Sequence, residues 1–462
     1  MAVSRASAAG ERIPRILRWG FGLLVFLALA TPAWRTGIFA WWPLLRLSML
    51  AGEPAGLGIL AFLPVAVGLG WLAWRGLARP QRPWQWGRAG IALPLAGLTL
   101  LSVASLEPAL TWRSLVQMVA WGLAWLVYLF ALNERPGLTW PLAAAVLVQA
   151  GVAIGQFLRQ ADLGLRSLGE LALDPRIDGI SVLMADGQPW LRAYGLTGHP
   201  NVLGATLALL LLFLLLALRT RRGADRLALA VVVMVGTAGL LVSFSRTAWL
   251  GFAAGLLVLV TGAARRERRM DDPPPGPGPA RPPFGWVLAA GMVVLVVAFV
   301  ALFGDLALSR FVSLDTPIEA TSLSDRQRDA SLALDLIAQA PWRGVGAGNY
   351  LAAAQATVAD ARTVHNVPLL VGSELGLMGL ILLVWMGVAP FLCGRGRRAA
   401  AGQPDGRARW NGLRFCLPTS SAPWLAMLVV GLFDVTLWLP TSWHAAVLFA
   451  LVVASQAADK EY

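Results

Sequence analysis

Apolar runs of roughly 20 residues recur along this chain, and few architectures can accommodate so many of them. Inside a hydrocarbon core every backbone N–H and C=O must be paired within the protein, so a span is a helix or a strand of a closed barrel. The runs are continuous and do not alternate with polar residues, which selects helices. Composition agrees. Of 462 residues, 57% are hydrophobic and 14% charged, with a mean hydropathy of +0.65; a soluble domain is about one-quarter charged. A soluble enzyme and a disordered chain are both excluded. The expected fold class is an all-α polytopic membrane protein with about 12 transmembrane helices.

The spans read as 17–33, 54–74, 89–105, 113–132, 138–158, 198–218, 226–243, 247–263, 284–303, 366–392, 421–438 and 440–457. This divides the chain into N-terminal membrane helices (1–158), a loop (159–197), central membrane helices (198–303), a large loop (304–364) and C-terminal membrane helices (365–462). The stretch 37–50 is apolar but short, and it carries Pro43 and Arg46. It reads as interfacial or re-entrant, with Trp41 and Trp42 at headgroup depth. A cleaved leader is disfavoured at the N-terminus, because the ATPAW context after the first apolar run is a poor cleavage site.

The formal charge of +13 bears on topology and not on nucleic acid. With the N-terminus placed in the cytoplasm, 25 of the 38 basic residues fall in segments on that side. Those segments include the RTRRGADR and RRERR loops and the basic loop 393–415. Both termini are then cytoplasmic. Cys393 and Cys416 flank the basic loop and are expected to be reduced. Residues 271–283 form a Pro/Gly linker that reads as a flexible cytoplasmic tether.

Both long loops then face outward. In the larger one, 325–340 has the apolar spacing of an amphipathic helix, with Leu332, Leu334, Leu336 and Ile337. Pro341 ends it. The glycine-rich run 344–348 is expected to be a tight, mobile turn, followed by a second short helix over 349–360.

No Walker motif, CxxC pair or His cluster is present, so neither a zinc site nor a nucleotide-driven pump is expected. His365 precedes Asn366 at the outer mouth of the tenth span. It reads either as a general base or as a capping residue. Glu374 lies nine residues further into the same helix, roughly 13 Å deeper. A carboxylate at that depth is either functional or the partner of an Arg or a helix end. Arg246 sits in the tight outer turn between the seventh and eighth spans. There it can fork onto a phosphate, or snorkel to headgroups. Arg192 precedes His199-Pro200-Asn201, a helix start suited to anions. Arg326 and Arg328 open the loop helix and read as ligands or as surface charge. Together, arginines and a histidine from four distant segments gather on one face of the membrane. A pyrophosphate suits such a site, because two Arg can neutralise it without a metal.

These segments resemble the O-antigen ligase and polymerase superfamily of bacterial envelope proteins. The likeness spans Arg192 to Gly379. It rests on Arg192-Ala-Tyr-Gly and His199-Pro200-Asn201, then Ser243-Phe-Ser-Arg246-Thr-Ala-Trp-Leu-Gly251, then Ser324-Asp-Arg326. Pro341-Trp-Arg-Gly344-Val-Gly346-Ala-Gly348, His365-Asn366 and Ser373-Glu374-Leu-Gly376-Leu-Met-Gly379 follow in order. The resemblance implies a glycosyltransferase of the bacterial inner membrane, with its active site facing the periplasm and no cofactor or metal. The donor would be a glycan on undecaprenyl diphosphate, and the acceptor a sugar hydroxyl of lipid A–core oligosaccharide. His365 would activate the acceptor. Arg246 and Arg326 would hold the diphosphate, with Arg192 a further candidate and Arg328 the alternative by register. Asn201, Asn366 and Glu374 complete the expected substrate site. A polymerase would use the same donor with a second lipid-linked glycan as acceptor, and a transporter would move the lipid without covalent transfer.

Overall fold

The computed structural model describes residues 14–30, 59–105, 112–185, 187–267, 284–312, 317–394, 413–415, 418–436, 438 and 443–457. The expected interfacial stretch 37–50 and the linker 271–283 lie outside them. Among the described residues there are fourteen α-helices: α1 (Arg15–Ala30), α2 (Ile59–Ala78), α3 (Ala89–Ala104), α4 (Trp112–Glu134), α5 (Thr139–Arg159), α6 (Pro200–Leu218), α7 (Gly223–Val242), α8 (Arg246–Glu267), α9 (Phe284–Val312), α10 (Pro317–Gln339), α11 (Tyr350–Thr357), α12 (Val367–Val388), α13 (Ala422–Phe433) and α14 (Trp443–Ala457). Two small antiparallel ribbons complete the chain: β1 (Val182–Ala185) with β2 (Gln188–Leu191), and β3 (Leu392–Gly394) with β4 (Leu413–Phe415).

Each of the twelve apolar segments read from the sequence coincides with a helix. Five helices, α5, α6, α7, α9 and α12, are long and apolar enough to cross a membrane; α3, α8, α13 and α14 contribute shorter apolar stretches. This is a polytopic membrane protein. The amphipathic loop helix is α10, which starts eight residues earlier than the spacing predicts and stops at Gln339, before Pro341. The second short helix is α11. The loop 159–197 holds a 3₁₀ turn (Arg166–Leu168) and the β1–β2 hairpin, which the apolar periodicity did not foretell.

Leucine-rich α6 is apolar on every side and is buried as the central helix. It packs on α5, α7, α8 and α13. Small residues let the helices close. Gly251 and Gly255 lie one turn apart on α8, at GxxxG spacing. A Cβ at Gly251 would stand 2.8 Å from Val430 and 3.0 Å from the Ala426 carbonyl, and one at Gly255 would stand 2.9 Å from the Ala422 carbonyl. The partner residues run backwards along α13, so α8 and α13 are antiparallel and the start of α8 meets the end of α13. The opposite end of the bundle is closed by buried charge. Glu134 accepts hydrogen bonds from Trp71 Nε1 (3.1 Å), Arg75 (3.1 Å) and Arg79 (3.3 Å).

The tight α8–α13 seam makes its glycines sensitive to volume. Gly251→Leu is expected to cost about 1–3 kcal/mol, seen as a lower unfolding midpoint in detergent. An unchanged midpoint would show that the seam tolerates the added volume.

Candidate functional site at one end of the bundle

Helix α7 ends at Val242 and α8 begins at Arg246, so the turn between them has three residues. Phe244 takes φ +48°, a left-handed conformation that costs a bulky residue energy. Its ring is fully buried and packs on Phe157, Trp249 and Phe299, which offsets the strain. Ser245 caps α8, its Oγ accepting from Ala248 N–H at 3.4 Å. The turn delivers Arg246, partly buried, to the first position of the helix.

Arg192 holds this turn from beneath. It is 3% exposed. Its Nε donates to the Ser243 carbonyl (3.0 Å) and Nη2 to the Phe244 carbonyl (3.2 Å). Nη1 donates to Ser181 Oγ (2.9 Å), and Nη2 also to Asn201 Oδ1 (2.9 Å). Arg192 is thus a brace for the backbone that presents Arg246. The segment carrying it on to α6 is fixed by two buried glutamines of α5. Gln156 Oε1 accepts from Tyr194 N–H (3.0 Å) and Gly195 N–H (2.8 Å). Gln149 Oε1 accepts from Leu196 N–H (2.9 Å). His199 then caps α6, its Nδ1 accepting from Asn201 N–H.

Asn201 links this cluster to α13. Its Nδ2 donates to Asp434 Oδ2 at 2.8 Å, and Asp434, which caps the C-terminus of α13, is 2% exposed. Two residues earlier, the Leu432 carbonyl accepts from Asn366 Nδ2 at 2.8 Å. The Asn366 Oδ1 caps α12 by accepting from Leu369 N–H (2.8 Å). The end of α13 therefore stands between Arg246 on α8 and His365-Asn366 on α12. Four segments distant in sequence meet there. Asp434 was not singled out from sequence; its only signal was an acid within an apolar run.

Helix α12 is broken. Gly376 has φ +67° and ψ −168°, which interrupts the ladder and leaves carbonyls without intrahelical partners. The glycine-rich run fills the break. Val345 N–H donates to the Ser373 carbonyl (2.8 Å), Gly346 N–H to the Glu374 carbonyl (3.0 Å), and Leu377 N–H to the Pro341 carbonyl (2.7 Å). A Cβ at Gly344 would collide with the Glu374 backbone, and one at Gly376 with the Trp342 backbone. The run read as a mobile turn is instead docked into a helix. Glu374, 4% exposed, hydrogen-bonds the backbone N–H groups of Gly348 and Tyr350. In this structure it braces the start of α11.

The two loop arginines differ. Arg328 pairs with Asp360 (3.0 Å) and Asp325 (3.7 Å). Arg326 is partly buried and makes no hydrogen bond or ion pair with a described residue. Asp329 lies one turn beyond it on α10 and is 1% exposed. Burial pushes the Asp329 carboxyl up from its ordinary value, against the opposing pull of the Arg362 N–H, Arg328 and His365. His365 lies within electrostatic reach of the Asp329 carboxyl, a neighbour the sequence reading missed.

A family model described as O-antigen ligase matches residues 229–384. The matched stretch runs from α7 to α12 and holds Arg246, Arg326, Arg328, His365, Asn366 and Glu374. Members of the family are O-antigen ligases or polymerases, enzymes that act on lipid-linked glycans. Comparison with curated proteins gives no match.

Arg192 makes four hydrogen bonds from a buried charge, so Arg192→Ala is expected to lower stability by about 3 kcal/mol. Thermal unfolding in detergent checks this. A midpoint equal to wild type would remove the brace.

Proposed function

We propose that this protein is an O-antigen ligase of the bacterial inner membrane, with the Arg246–His365 end of the bundle in the periplasm. It transfers a glycan from undecaprenyl diphosphate to a sugar hydroxyl of lipid A–core. The observation that carries this reading is the linkage through α13. Asn201 on Asp434 and Asn366 on Leu432 bring the segments of Arg246 and His365 to one end of an apolar bundle. The family match agrees with it.

The step is a displacement at the anomeric carbon. The acceptor oxygen forms the new C–O bond as its proton passes to the His365 imidazole. The anomeric C–O bond to phosphate breaks, and undecaprenyl diphosphate leaves with the electron pair, giving inversion. Arg246 and Arg326 neutralise the leaving group, so no metal takes part. The absence of a partner among the described residues favours Arg326 over Arg328 for this task. Arg192, Asn201, Asn366 and Glu374 act by holding backbone in place. The lipid tail lies among the apolar helices.

Purified protein with lipid-linked glycan, lipid A–core and excess EDTA tests the reading. Glycan should appear on lipid A–core, and His365→Ala should abolish transfer while donor still binds. Longer chains left on undecaprenyl diphosphate would make the protein a polymerase, and lipid movement across vesicles without covalent transfer would end the enzyme reading. Arg326→Ala is expected to cut turnover by about 10²–10³-fold, the cost of losing one oxyanion-stabilising donor. Arg328→Ala should cost far less, and the reverse order would exchange their roles. Arg246→Lys should fall well short of wild type, because an ammonium lacks the bidentate fork.

A further inference from the structure

Two buried polar atoms on packed segments of the chain lack partners. Among the described residues, Asp329 Oδ1 and His365 Nδ1 are both shielded from solvent with no hydrogen bond. Unpaired buried polar atoms are costly, and two complementary ones in one place need an explanation. One is an acceptor and the other can carry a proton. The remaining ring nitrogen of His365, Nε2, is not among the buried unpartnered atoms, so it is the one open to a substrate.

The surrounding fold brings the two residues together. Asp329 lies on the inner face of α10, which packs on α12. The Tyr350 hydroxyl on α11 donates to the Asp329 carbonyl at 3.1 Å, which fixes that turn of α10. The Arg362 N–H faces the Asp329 carboxyl, and three residues later the chain reaches His365. Ala361 and Val364, each 2% exposed, anchor that segment in the core. His365 acts electrostatically on the carboxyl. No hydrogen bond joins the pair here. Apo catalytic sites often hold such contacts long, and they tighten when substrate binds.

We infer that Asp329 is the positioning residue of His365: its Oδ1 accepts the Nδ1–H, which fixes the imidazole tautomer and turns the Nε2 lone pair toward the acceptor hydroxyl. As Nε2 takes the acceptor proton, the carboxylate stabilises the imidazolium that forms, without receiving a proton itself. This is the division of labour of a carboxylate–histidine pair in acyl transfer, here built between a loop helix and the mouth of a membrane helix. Asp329 is one turn from Arg326 on the same face of α10. One helix would then carry both the residue that orients the base and the residue that holds the leaving group. The inference rests on His365 being the base of the reaction proposed above.

The charged and titratable groups around the pair are Asp325, Arg326 and Arg328 on α10, Asp360 and Arg362 on the segment before α12, and Tyr350 on α11. Arg328 is already paired with Asp360 and Asp325, and Arg362 with Asp325 at 3.4 Å. Among the described residues, Asp329 is the carboxylate left to serve the imidazole. Removing its charge makes the protonated imidazole less favourable. A base must be neutral to act, so activity in the variant should persist to lower pH while its maximum falls.

The test uses the full chain in lipid nanodiscs with ¹⁵N-labelled histidine. The protein has three histidines, so His365→Ala identifies the signal. In wild type the neutral ring should carry its proton on Nδ1. In Asp329→Asn that preference should be lost. In the transfer assay, Asp329→Asn should lower kcat by about 100-fold, leave the donor KM unchanged and move the acid limb of the pH profile to lower pH. Asp329→Glu should recover part of the loss. If His365→Ala abolishes transfer while Asp329→Asn keeps the wild-type kcat and acid limb, the positioning role is overturned and the base survives. If His365→Ala retains turnover, the base reading fails, and the tautomer measurement still judges the pairing. Should Asp329→Asn not fold, the wild-type spectrum decides: a proton on Nε2 in the neutral ring overturns the inference.

Discussion

The end of α13 is held by side chains from helices far apart in sequence. Asp434 accepts from Asn201, Asn201 accepts from the buried Arg192, and Arg192 grips both carbonyls of the turn that presents Arg246. Asn366 ties the start of α12 to the same helix end. Helix termini carry backbone groups with no intrahelical partner, and in an apolar bundle water is not there to satisfy them. Side chains must do so. Here the residues that satisfy the helix ends also set where the candidate site's side chains stand.

The broken helix α12 obeys the same rule. A break at Gly376 exposes carbonyls deep in the bundle, and the chain covers them with its own loop through Val345 and Gly346. Irregular backbone at that depth is tolerated only where it is enclosed by protein or lines a cavity. A transporter uses such breaks to bind cargo. In this protein the partners of the break are its own amides. The docked loop instead fastens α10, which carries Asp329, and α11 to α12, whose start follows His365.

The apolar runs alone determined a helical membrane fold, because run length and continuity report directly on helices that avoid water. They also located the loop helices, through the spacing of Leu332 and Leu336 and the stop at Pro341. The residues of the candidate site were legible for a related reason. Arg246 and His365 are polar groups at the borders of apolar segments, where a charge must have a task, and Arg326 stands in the polar stretch of the loop helix.

Tertiary structure decided how those residues divide the work. Arg192 and Arg246 look alike in sequence, yet one is enclosed by carbonyls and the other is delivered by the turn to a helix start. Arg326 and Arg328 differ by two positions, and only the nearness of Asp325 and Asp360 separates them. Asp329 gave no pattern and Asp434 only the signal of an acid within an apolar run, because their partners lie on other helices. The glycine run read as a mobile turn and is a plug, since its hydrogen bonds go to a helix that breaks about 30 residues further along the chain. Local periodicity fixes each element, whereas pairing between elements depends on long-range contacts that no window of the sequence contains.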